Sequence, residues 1–209
     1  MASLEEFLPY VALHCPDVAE PSMLHEIRAA CVLFCERTRV WKAIETINVK
    51  ANRGEYEIPV DSEAVVVAIE EAIFNGSTLR PEALDVLKTE YRDWITQTGS
   101  PILFTQLDPD NLRLVPVPNA DYPKGLILRI TYKPDRTAKS VPDWLFQQYA
   151  EVIAAGAIGR LTGTRAFECF DPAVSTYYLQ LFAAGADKAL HEADKSFTRA
   201  PRRTKARFL

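Results

Sequence analysis

Cys31 and Cys35 stand four residues apart, with His14, Cys15 and His25 close by in the sequence. Thiolate and imidazole together form a donor set that can hold zinc. Zinc sites usually place their paired ligands on turns, however, whereas Cys31 and Cys35 fall on the apolar stripe of a helical pattern, so core packing accounts for them better. The three histidines, His14, His25 and His191, make no metalloprotease spacing, and no serine sits in a nucleophile elbow. No catalytic constellation is visible, and neither a cofactor nor a metal is expected. Gly156-Ala157-Ile158-Gly159-Arg160 imitates a phosphate loop, but it lies inside a helical pattern, follows no strand and lacks the Lys-Ser/Thr pair. Close helix packing explains its glycines. Asn75-Gly76-Ser77 matches a glycosylation acceptor, but no secretion is expected, so a hairpin turn is the reading taken. Trp41, Trp94 and Trp144 each border an apolar run and point to core or interface packing in preference to ligand stacking.

Charge is unevenly placed. Lys195, Arg199, Arg202, Arg203, Lys205 and Arg207 carry +6 with no acid among them, which leaves the preceding 194 residues at −10 against a total of −4. The longest uncharged apolar stretch, Val152 to Gly159, is far short of the roughly 20 residues a membrane span needs. The opening Met1-Ala2-Ser3-Leu4-Glu5-Glu6 has no basic n-region and Pro9 follows soon after, so the chain is expected to stay in the cytoplasm in which it is made. Cys15, Cys31, Cys35 and Cys169 are too sparse for a disulfide scaffold and are expected to be thiols in the core.

The elements that must position these residues follow from periodicity. Residues 1 to 21 hold Pro9, Pro16 and Pro21 and no sustained period, and read as an ordered arm that Phe7, Leu8 and Tyr10 could anchor by local burial. Leu24, Ile27, Cys31, Phe34 and Cys35 recur at helical spacing and predict a helix over 22–38. A hairpin follows, with strands over 41–49 and 56–60 around Asn52-Arg53-Gly54. In residues 63–74, Glu70 and Glu71 suit a helix whereas Val65-Val66-Val67 and the Asn75-Gly76 turn suit a strand, and the strand is the reading taken. Pro81 then suits the first position of a helix whose stripe is Leu84, Leu87, Tyr91 and Trp94. Strands are expected near 102–106, 112–117 and 125–133, the last with Leu126, Leu128, Ile130 and Tyr132 opposing a wet face. Leu145, Tyr149, Val152, Ile153, Gly156 and Leu161 predict a helix over 140–161. Val174, Tyr177, Tyr178, Leu181, Phe182, Gly185, Ala189 and Leu190 predict another, starting at Asp171-Pro172. Ala154 to Ala157 and Ala183 to Ala186 would let two helices approach closely, within the chain or across a subunit boundary.

The expected fold is therefore α+β. It is a helical bundle, made of the N-terminal helix and a long C-terminal antiparallel helix hairpin, with an inserted antiparallel β-sheet domain and an extended C-terminal tail. The expected divisions are an arm and helix over 1–39, a β-rich region with one short helix over 40–139, the helical hairpin over 140–196 and the basic tail over 197–209. In the tail, arginines alternate with Phe197, Pro201 and Phe208, a composition suited to docking on a protein, since phenylalanine can fill pockets while arginine pairs with acids.

Three stretches resemble the head-to-tail adaptor proteins of short-tailed bacteriophages, the group of connector or neck subunits that includes tail tubular protein A. They are Leu24 to Arg37 leading to Trp41; Tyr132-Lys133-Pro134 with Val141-Pro142-Asp143-Trp144 running to Leu161; and Asp171-Pro172 to Asp194 with Arg199-Ala200-Pro201. The resemblance implies a virion structural protein of the neck, assembled in the host bacterial cytoplasm, and not an enzyme. It implies a homo-oligomeric ring, commonly of about twelve subunits, held between the portal protein and the distal tail or nozzle protein. Genomic DNA would pass through the lumen during ejection without specific binding. A portal-docking tail would use Phe197, Arg199, Pro201, Arg202, Arg203, Lys205, Arg207 and Phe208. Helix residues Trp144, Tyr149, Gly156, Tyr177, Tyr178 and Gly185 would meet the neighbouring subunit. A head-completion or minor tail protein of another phage type preserves most of this reasoning. A nucleic-acid-binding module would instead use the tail on phosphates, and the acidic body argues against it.

Overall fold

The computed structural model describes residues 1–91 and 93–193. In chain order these residues form β1 (Ala2–Ser3), a 3-10 turn (Leu4–Phe7), α1 (Leu8–Ala12), α2 (Glu20–Thr38), β2 (Lys42–Val49), β3 (Glu55–Glu57) and β4 (Ala64–Phe74). Next come β5 (Ser77–Thr78), β6 (Arg80–Pro81), α3 (Leu84–Glu90), β7 (Thr98–Gly99), β8 (Leu103–Asp108), β9 (Asn111–Val115) and β10 (Val117–Pro118). β11 (Tyr122–Pro134), β12 (Ser140–Val141), α4 (Asp143–Thr162) and α5 (Pro172–Ala193) complete them. The described residues divide into two compact units, one made of Met1–Val40 with residues 139–193, the other of Trp41–Ala138.

This corrects the fold expected from the sequence. Helix is not confined to one N-terminal element and a long C-terminal hairpin. Among the described residues there are five short helices, the longest of 22 residues, together with two four-stranded sheets and two two-stranded pairs. The molecule is α+β and rich in sheet, and two of its strand pairings, β6 with β8 and β7 with β10, are parallel. The tail over 197–209 lies outside the described residues.

The arm is ordered, and part of it is helical despite its prolines. Pro9 and Pro21 occupy the first turns of α1 and α2, where the N–H that proline lacks would have no intrahelical partner. Before them, Ser3 accepts a hydrogen bond on Oγ from the Glu5 N–H at 3.2 Å and donates its own N–H to Glu6 Oε1 at 2.9 Å, capping the 3-10 turn. β1 pairs with β12, Ala2 opposite Val141, so the chain terminus is fastened beside the start of α4. Phe7 packs edge-on against Phe146 at 4.9 Å.

In the same unit α4 is buried on nearly all sides from Ile153 to Gly159, as expected of a helix that is apolar all round. α2 contributes Met23, Ile27, Ala30, Cys31, Phe34 and Cys35 to this core and ends at Arg39, in the left-handed region at φ 50°. α5 buries a narrower face than its apolar residues suggest, namely Ser175, Phe182, Ala186, Ala189 and Ala193. Asp171 caps α5 by accepting the N–H groups of Ala173 at 2.8 Å and Val174 at 3.1 Å. Arg37 and Asp187 tie α2 to α5 at 2.7 Å, and Arg160 with Glu26 ties α4 to α2.

The other unit is two four-stranded sheets, ordered β2-β11-β4-β5 and β3-β9-β8-β6, that share one core. Residues 64–74 form a strand, β4, pairing antiparallel with β11. In β11, Leu126, Leu128, Ile130 and Tyr132 are buried, but the opposite face is not uniformly wet. Thr131 is buried as well and donates its hydroxyl to Ala68 O at 3.1 Å, which satisfies the one polar group that burial would otherwise strand. α3 is shorter than its pattern: Pro81 lies in edge strand β6 opposite Phe104, and Tyr91 and Trp94 fall beyond the helix. Trp94 still packs with Leu87, Leu103 and Val115, since a turn can bring it back to the same cluster. Arg113 crosses above its ring at 5.1 Å and is held by Glu55 at 2.5 Å and by the Ile95 carbonyl at 2.7 Å.

Candidate interface surfaces

The apolar residues of α5 divide between two faces. Phe182 and Ala186 point into the helical core, whereas Tyr177 and Leu181, one turn apart, are 57% and 44% exposed. Ala184 continues the same exposed stripe one turn further on. Tyr178 turns inward enough for its hydroxyl to lie 3.1 Å from His14 Nε2, and its ring meets that of Tyr177 edge-on at 5.3 Å. Leu33 on α2 and Leu13 after α1 are further exposed apolar groups of this unit. Scattered single leucines need no explanation, but an aromatic-aliphatic stripe left bare on a helix is the composition of an interface core.

The six helix residues picked from the sequence are placed unequally. Tyr149 is buried against Phe34, ring centroids 5.0 Å apart, with its hydroxyl 3.4 Å from Glu192. Burial, then the Glu192 charge and hydrogen bond, push its hydroxyl up to about 12. Gly156 is buried within the chain, where an added Cβ would lie 2.7 Å from the Phe182 ring and 3.2 Å from the Ala30 Cβ. Gly185 lies against Val152, with only 2.6 Å between an added Cβ and the Val152 Cγ1. Trp144 is half-buried. Tyr177 alone of the six is largely exposed. The periodicity that selected these positions marks helix contact of any kind, so it could not separate contacts inside the chain from those outside it. Leu181 lay on the predicted stripe without being singled out.

Among the described residues, no group of three or more His, Cys, Asp or Glu side chains could hold a metal ion. Cys31 and Cys35 are fully buried on the inner face of α2. Burial pushes the Cys31 thiol up to about 12, with nearby Arg28 pulling weakly the other way, and Cys35 is likewise raised by burial and by Cys31 and Glu36. A thiol that stays neutral when folded, but ionises near its ordinary 9.0 when unfolded, contributes stability that is whole below pH 9. That contribution is lost as pH climbs from 9 towards 12. Between pH 8 and 11 the unfolding free energy in urea should therefore fall, and Cys31→Ala should flatten the fall by about 2–3 kcal/mol. Parallel slopes for parent and variant would show that Cys31 ionises alike in both states.

The portal-docking residues expected in the tail, Phe197 to Phe208, lie outside the described residues. No described helix is long and apolar enough to cross a membrane. A model of the family described as SU10 adaptor protein matches residues 5–205, and no curated protein sequence matches the chain.

Proposed function

The chain belongs to the SU10 adaptor protein family, whose members are phage adaptors and so components of the virion, and from that premise we propose that it forms the ring joining portal protein to distal tail. The observation that carries this reading is the match across nearly the whole chain, from residue 5 to residue 205, which takes in both compact units and reaches into the cationic tail. Its role is structural, acting through surfaces that hold neighbours, with no chemical step.

A ring subunit makes heterologous contacts around a closing rotation, so it needs one face to offer and a different one to receive. The bare stripe of Tyr177, Leu181 and Ala184 on α5 suits the first, and the occupant is the next copy of the same chain. Trp144 and Tyr178 border this reading, while Tyr149, Gly156 and Gly185 serve the subunit's own core. The tail, through Phe197, Arg199, Pro201, Arg202, Arg203, Lys205, Arg207 and Phe208, docks on the portal protein. A distal tail or nozzle protein occupies the opposite side of the ring. A body at −10 repels phosphate, so genomic DNA slides through the lumen and is not held there. Assembly takes place in the host cytoplasm, where the subunit arrives as a monomer and closes its ring on the portal.

Electron microscopy of the purified chain mixed with its portal protein tests this. A closed ring of about twelve subunits on the portal is the expected result. Portal particles that carry no added density, with the chain in excess, would sink the proposal.

A further inference from the structure

The two sheets of the β-rich unit end in four edge strands, β2, β5, β3 and β6. Three of them are cut to two or three residues, a common way to keep a sheet edge from recruiting another strand. β2 is the exception, with eight residues, Lys42–Val49. It runs against β11 in unbroken register from Lys42 opposite Thr131 to Ile47 opposite Leu126. The Tyr132 N–H donates to Trp41 O at 2.7 Å, and antiparallel pairing alternates, so Ala43, Glu45 and Ile47 also turn their backbone groups to β11. Lys42, Ile44 and Thr46 turn theirs the other way. Among the described residues, no backbone donor or acceptor meets those N–H and C=O groups. The core stops short at the same edge, where Trp41, Ala43 and Ile47 pack on the buried cluster but are only partly covered. On the outer face Ile44 is 65% exposed. Lys42 is neutralised there by Glu70 at 3.1 Å, and Arg129, opposite Ile44, by Glu71 at 3.4 Å.

We propose that the open edge of β2 is a docking site for an extended strand of a second protein, added to the sheet through backbone hydrogen bonds. A row of unpaired N–H and C=O groups at Lys42, Ile44 and Thr46 is complemented by another extended backbone and by little else. Side chains of the incoming strand that face the core are apolar where they cover Trp41, Ala43 and Ile47, with a hydroxyl or amide opposite Glu45. Those on the outer face are uncharged, because Lys42 and Arg129 already hold acids and a further charge beside Ile44 would find no partner. That charge balance disfavours the cationic tail and DNA as occupants. A second copy of the chain also fits poorly. β4, whose edge β5 covers only at Ile73 and Phe74, shifts register twice against β11, and a bulged edge pairs badly. Two β2 strands could pair antiparallel only about a two-fold axis, which a head-to-tail ring does not contain. The identity of the partner rests on the ring reading: the tail engages the portal protein and α5 the next copy, so the strand comes from the distal tail protein.

The test follows amide hydrogen exchange, residue by residue, in the full chain alone, with its portal protein, with its distal tail protein and with both, while electron micrographs score rings in the same samples. The N–H groups of Ile44 and Thr46 should exchange quickly in the chain alone and with portal, and slow by at least about tenfold once the distal tail protein is added. Those of Ala43 and Glu45 should be slow throughout, an alternation that a partner lying on the sheet face would not produce. Thr46→Pro removes one open-edge N–H and no ladder bond, and Ile44→Lys puts a charge on the edge. Each should weaken capture of the distal tail protein by about tenfold or more and leave rings on the portal intact. Melting curves check that both variants fold, and exchange in the wild-type chain decides the matter if they do not. Slow Ile44 and Thr46 amides in the chain alone or with portal only would give the edge to a second copy or to the portal and overturn the proposal. So would exchange that stays fast in both samples holding the distal tail protein, or folded variants that capture it as the wild type does. Missing rings together with edge amides slowed by the distal tail protein would sink the ring reading and support the docking edge.

Discussion

Valine in place of Gly156 should lower the stability of the helical unit by about 3 kcal/mol, seen as a fall of roughly 6–12 °C in melting temperature. The space for even one methyl group is absent. A Cβ there would stand 2.7 Å from the Phe182 ring on one side and 3.2 Å from the Ala30 Cβ on the other. Phe182 cannot swing aside, since it is itself buried and its ring lies 6.3 Å from Phe34, which in turn packs on Tyr149 at 5.0 Å. Three helices meet at this point, so the strain is shared by α2, α4 and α5. Gly156→Ala should fall between parent and valine variant. Ala184→Val, on the exposed stripe of α5, serves as the control and should move stability by less than about 0.5 kcal/mol. A Gly156→Val chain that melts with the parent would mean the three helices are not held together at Gly156.

That contact shows what a sequence can and cannot disclose. Gly156 was recognisable as a packing position because a glycine among alanines inside an apolar helix has few other uses. Which partner it receives was not, because close approach within a chain and across a boundary demand the same small residues. The β-rich unit was legible where strands alternate cleanly, as in Leu126, Leu128, Ile130 and Tyr132 of β11. It was illegible where pairing is made by two residues at a time. β7 with β10 and β6 with β8 have no period long enough to register. A proline signal misled at both ends of its range. Pro9 and Pro21 lie in the first turns of helices although the sequence places both in an arm without a sustained period, and Pro81 lies in an edge strand although it suits a helix start. Local preference allows all of these, and tertiary context selects one.

The candidate surface was half legible for a related reason. The α5 stripe from Val174 to Leu190 is wide enough to satisfy two partners at once, and hydrophobic spacing records only the total. The structure divides it, giving Phe182, Ala186 and Ala189 to the core and leaving Tyr177 and Leu181 outside. That division depends on how α5 is set against its neighbours, which is a property of the packed unit and not of any one segment.

Tyr177→Glu combined with Leu181→Lys should abolish ring formation on the portal while leaving the isolated subunit as stable as before. The two positions are one turn apart on the bare face of α5, with Glu towards the N-terminus, so the new side chains can pair along the helix and the net charge is unchanged. Neither wild-type side chain belongs to the subunit's buried core, and melting should shift by less than about 0.5 kcal/mol. At an interface the same change removes an aromatic anchor and an aliphatic one and buries two charges without partners from the neighbouring subunit. Each loss at a buried centre is worth about 2 kcal/mol, so each contact should weaken by roughly a hundredfold or more. A closed ring repeats that penalty at every boundary, which makes loss of the ring close to complete in electron micrographs of portal mixtures. Single subunits could still attach to the portal through the tail, and removal of residues 195–209 should then release them. Double-variant rings indistinguishable from wild type would show that α5 faces solvent in the assembly and that another surface joins the subunits.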